Sequence, residues 1–91
     1  MNPDQAAALA LQALAYVAGD EDALSRLMAE SGLSQDDLRR RTEDPVFLGF
    51  VLDFLLSQEA QARGFCEVAE VPPETVHRAR AALPGGPSHG D

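Results

Sequence analysis

Cys66 and His77 are the two side chains of this 91-residue chain best suited to nucleophilic chemistry. A thiol beside an imidazole, with an acid to orient the ring, can form a covalent intermediate. That chemistry also asks for a glycine-rich turn or another oxyanion-stabilising signature at the nucleophile, and none accompanies Cys66. Cys66 follows Phe65, and a small thiol next to an aromatic ring reads as core. Metal chemistry is no better supported. Two well-separated ligands are too few for a closed zinc site, and the carboxylate spacing matches no calcium loop. Glycine-rich phosphate loops are absent. The sequence therefore predicts no catalytic, cofactor-binding or metal-binding residue, no cofactor and no identifiable small-molecule substrate; the chain is read as a non-enzyme.

Binding chemistry is the remaining option, and Arg39, Arg40 and Arg41 are its first candidates. In LMAESGLSQDDLRRR, Gly32, Leu33 and Leu38 sit where a helix-turn-helix would want its turn glycine and apolar contacts. The recognition helix of such a motif would lead with Gln35, Asp36 and Asp37, and carboxylates at that end meet phosphate repulsion. Cations in a last helical turn also complement the helix dipole and pair with Asp36, Asp37 or Glu43. The arginines are accordingly read as dipole partners first and as a patch for an anionic partner second. Nucleic-acid binding of helix-turn-helix type is the alternative function. Asp53 admits a buried reading, paired with an arginine or a helix amide. The line it shares with Gly49 and Ser57 favours a water-facing one.

The elements that position these residues follow from composition and pattern. The hydrophobic fraction is 45%, aromatics are 5%, and the core must be built mainly from Leu, Ala and Val. Ala and Leu favour helix, and no stretch alternates long enough for a strand. A net charge of -8 works against attraction to a polyanion and makes basic partners easier to accommodate. The MNPDQ start has no cationic stretch ahead of its apolar run, and a single cysteine suits a reducing compartment. Both point to the cytoplasm.

A first helix is predicted from Pro3 or Asp4 to a stop at Gly19, and a second from an Asp20 cap to Gly32 as a left-handed C′ residue. In GLSQDDL, Ser34 is an N-cap, Asp37 can reach back to the Ser34 amide, and Leu33 can pack on Leu38. This predicts a third helix over 35–42. Asp44 caps a fourth with Pro45 at its first position. In PVFLGFVLDFLLSQ only Gly49 and Asp53 interrupt the 11 residues from Val46 to Leu56, too short a run to span a bilayer, which takes roughly 20 residues. A helix apolar around most of its circumference is the hub of a bundle. Gly64 is a candidate kink or break further on. VPPETVHRARAALPGG predicts a last helix opened by Pro73, with Val76, Ala79 and Leu83 facing inward. Residues 1–83 form one helical domain in this reading, and 84–91 a disordered tail. A shift of 38 residues brings Leu27, Leu33, Leu38 and Arg40 onto Phe65, Val71, Val76 and Arg78, as the shared grammar of helical hairpins would.

SGLSQDDLR at Ser31 to Arg39, DPVFLGFVLDFLLSQE at Asp44 to Glu59, FCE at Phe65 to Glu67 and PETVHRARAALPG at Pro73 to Gly85 resemble a small proteobacterial family, domain of unknown function 3572. The resemblance implies a short, stand-alone helical protein and carries no catalytic or binding residue to any position. The expectation is an all-α, compact bundle of about five short helices around a central hydrophobic helix. Its expected function is that of a protein-protein interaction or regulatory module. A protein partner or self-association would use Phe47, Phe50 and Phe54, whose apolar surface exceeds what four short helices cover, together with Arg39, Arg40 and Arg41.

Overall fold

Side chains close to the chain reversals explain where the first four helices begin. The computed structural model describes residues 1–84 and holds α1 (Pro3–Ala18), α2 (Glu21–Ser31), α3 (Gln35–Arg40), α4 (Pro45–Ser57), α5 (Glu59–Ala69) and α6 (Pro73–Ala81). No strand occurs among the described residues. Of the tail expected over 84–91, residues 85–91 lie outside them.

Asn2 caps α1: its Oδ1 accepts the Gln5 N–H at 2.7 Å while Gln5 Oε1 accepts the Asn2 N–H at 3.2 Å, a reciprocal pair. The Asp20 side chain accepts from Asp22 and Ala23 at the head of α2. Ser34 and Asp37 make the reciprocal box that the sequence specifies for α3. The Ser34 amide and hydroxyl, both donating to Asp37, hold that carboxyl below its ordinary range. α3 ends at Arg40, short of the expected Thr42. The Arg41 N–H is shared between the Asp37 and Leu38 carbonyls, and the Asp44 N–H bonds to Arg41, turning the chain into the Asp44 cap of α4.

The sixth helix arises from a break at Gln58, not at Gly64. Gln58 is extended (φ -114, ψ 90) and both closes α4 and opens α5. The Ser57 hydroxyl donates to the Phe54 carbonyl at 2.7 Å, a back-bond that bends helices. Arg26 of α2 donates to Gln58 Oε1 at 2.6 Å, and Gln61 Nε2 to Asp20 Oδ2 at 2.9 Å. Those two bonds pin the α4–α5 corner to the start of α2. Gly64 lies inside α5, where a Cβ would run into the Tyr16 hydroxyl. It permits close approach of α1 and α5, and Tyr16 packs edge-on against Phe65 at 5.8 Å.

α4 is the hub. Phe47, Leu48, Val51, Leu52, Phe54 and Leu55 are all buried, and α4 packs on α1, α5 and α6. Its most extensive contact is with α1, whose Ala6, Ala10 and Ala13 are fully buried and let the two backbones come close.

The line Gly49–Asp53–Ser57 does not form a water-facing strip. Gly49 is buried, and a Cβ there would meet Arg80 Nη1 at 2.8 Å and the Pro84 carbonyl at 2.9 Å. Asp53 accepts from Arg80 Nε at 2.6 Å; their side chains are 33% and 13% exposed. Only Ser57 faces solvent. The periodicity located the polar residues correctly, but α6 covers them with an arginine instead of leaving them to water. Arg80 Nη1 also donates to the Leu83 and Pro84 carbonyls, so one guanidinium caps α6 and ties its end to the hub.

Candidate functional site

The residues expected to form an interaction surface do not lie together. Phe47 and Phe54 are 5% and 2% exposed and belong to the core, so the bundle covers the aromatic excess of the hub. α1, α5 and α6 pack directly on the hub and account for that cover. Phe50 stays half-buried and stacks on Phe47 at 6.4 Å. Phe47, Phe50 and Arg41 line a groove of about 370 Å³ with Leu33, Val46 and Glu30, between the end of α2 and the start of α4. Arg41 is drawn to Asp44 at 3.7 Å, and half of that wall is polar or charged. Arg39 borders a separate depression of about 200 Å³ beside Leu38 and Leu14, and Arg40 pairs with Asp37 at 3.8 Å. The three arginines thus point to different surroundings, and two of them are paired as a helix end would pair them.

A larger groove, of about 480 Å³, runs between the end of α4, α5 and α6. Leu56, Ala62, Cys66, Val71, Pro73 and Val76 give it an apolar floor, and Glu59, Arg63, Glu67 and His77 edge it. Leu56, Ala62 and Val71 are half-buried, so this apolar surface belongs partly to the core and partly to the opening. The local reasons are plain. α5 turns Phe65 and Cys66 inward, and the left-handed residue Glu70 reverses the chain to bring Val71 and Pro73 opposite Leu56.

Cys66 and His77 both line this groove, a proximity that sequence separation hides. Its chemistry runs against a nucleophile. Cys66 is buried, and burial, with a smaller contribution from the Glu74 carboxylate, pushes its thiol above the ordinary range. A catalytic cysteine needs the opposite, a neighbouring cation or helix N-terminus that lowers it. Among the described residues, no three His, Cys, Asp or Glu side chains gather as a metal site would require. None of the described helices is long and apolar enough to cross a membrane.

The architecture defines a small all-α bundle assembled on one apolar helix, with an apolar groove on one side. The family model for a protein of unknown function, DUF3572, matches residues 3–86, and the chain belongs to that family. No curated protein and no solved structure matches the chain.

Proposed function

We propose that the protein is a non-enzymatic interaction module of the cytoplasm that receives an apolar element of a partner protein in the α4–α5–α6 groove. The observation that carries this reading is the groove itself: a concave apolar floor that the chain's own helices leave partly uncovered. The raised thiol of Cys66 supports a binding role over covalent chemistry at the same place.

Capture from the cells that make the protein tests it, comparing the tagged wild type with Val71→Asp in the presence of nuclease. Val71 is half-buried in the groove floor, so the charge enters the docking surface at a position the core does not fully seal. The expected result is a nuclease-resistant protein partner retained by the wild type and lost from Val71→Asp, with helical circular dichroism preserved. Equal retention by both proteins contradicts the reading. Retention abolished by nuclease would transfer the function to Arg39, Arg40 and Arg41 and to nucleic acid.

A further inference from the structure

Charges at the groove edge, together with the kinds of backbone the fold could accept, narrow the occupant. Glu59 and Glu67 border the opening, and Glu74 stands close enough for its field to reach the Cys66 sulfur. Against these carboxylates stands Arg63, committed to Glu59 at 3.3 Å. The net charge of -8 extends the same sign over the molecule. A second copy of this chain would bring an identical acidic edge to face the first, and like charges across an interface cost affinity. A nucleic acid meets the same repulsion.

Peptides dock by a small number of backbone routes. Strand addition needs an open sheet edge, and no strand occurs among the described residues. Polyproline recognition needs an aromatic-lined groove, and no aromatic residue lines this one. Recognition of acidic or phosphorylated motifs needs a cluster of free arginines, and Arg63 is paired. A helix satisfies its own backbone and needs only an apolar trough for its apolar face.

We infer that the occupant is an amphipathic helix of a partner protein, with Lys or Arg flanking its apolar face. This rests on the docking reading above. The apolar face settles on Leu56, Ala62 and Val71, the floor residues that remain partly exposed. The flanking cations reach Glu67 and Glu74, the carboxylates not paired with Arg63, and the field of the whole acidic molecule steers their approach.

Two synthetic peptides decide the point. Both carry leucines at i, i+3, i+4 and i+7; one has lysines beside that face, the other glutamates. Each is titrated into the full-length ¹⁵N-labelled protein and followed by amide chemical shifts, with sedimentation of the free protein alongside. The inference expects a monomer, shifts centred on the α4–α5–α6 groove, and binding of the lysine peptide roughly tenfold tighter at low salt. Added salt and Glu67→Gln should each narrow that gap. Equal binding of both peptides in the groove overturns the charge inference and leaves docking standing. Shifts elsewhere, no binding, or a free-protein dimer that seals the groove overturns both.

Discussion

Gly49 and Gly64 sit in helix interiors, where glycine costs about 1 kcal/mol against alanine, and each makes room for a neighbour. Gly49 accommodates Arg80 and the Pro84 carbonyl; Gly64 accommodates the Tyr16 hydroxyl. Neither role is legible in sequence, because a glycine inside an apolar run reads equally as a break, a gap in the core or an exposed point. The sequence reading set Gly49 toward water and left Gly64 as a candidate kink or break, and both were decided by helices far away in the chain. Gly49→Ala tests the close approach. Propensity alone would stabilise α4, but the new methyl meets a backbone carbonyl that cannot rotate away. The expected outcome is a net loss of about 1–3 kcal/mol in urea unfolding. Gly19→Ala is the control: its Cβ would find only ordinary contacts, at 3.5 and 3.8 Å, and stability should hold or rise slightly. Equal behaviour of the two variants would show that α6 does not press on the hub.

The turns between helices divide into those written locally and those imposed by packing. Asp20, Gly32, Ser34, Asp44, Pro45 and Pro73 stand at the helix ends where their chemistry predicts them. The corner at Gln58 has no such mark; its extended backbone answers to Arg26 on another helix. The 38-residue echo is realised in the geometry. Gly32 and Glu70, separated by that interval, are the two left-handed residues among the described ones, and their amides bond to the Met28 and Cys66 carbonyls, again 38 apart. Leu27 and Phe65 are buried as a matched pair, as are Leu38 and Val76. The two hairpins use the same grammar with one difference: the second places a glutamate where glycine is unstrained. A left-handed conformation costs a residue with a Cβ about 1–2 kcal/mol, so exposed Glu70→Gly should stabilise the protein by about 1 kcal/mol despite glycine's greater freedom when unfolded. A lower thermal midpoint for Glu70→Gly would contradict that account of the α5–α6 turn.

At the scale of the molecule, a radius of gyration of 12.0 Å is what a compact chain of this length has, about 12 Å, so the helices pack compactly around α4. This was legible: a helix apolar on most of its circumference has nowhere to be but the centre. The groove was not legible, since its floor is assembled from Leu56, Ala62, Val71 and Val76 on separate stretches, and none of these stands out in the sequence from ordinary core. The sequence reading looked for exposed apolar surface on the hub, where hydrophobicity was greatest; the bundle covers Phe47 and Phe54 and leaves Phe50 and Val46 partly open. Surface left over appears instead in the groove between the end of α4, α5 and α6. The most direct test is a photoreactive residue placed in the living cell at exposed Glu67, beside the groove, and separately at exposed Leu11 on α1. A covalent adduct with a partner protein from position 67 and none from position 11 is the predicted result. Adducts from position 11 alone, or from neither position, would contradict the claim that this groove is where the protein meets its partner.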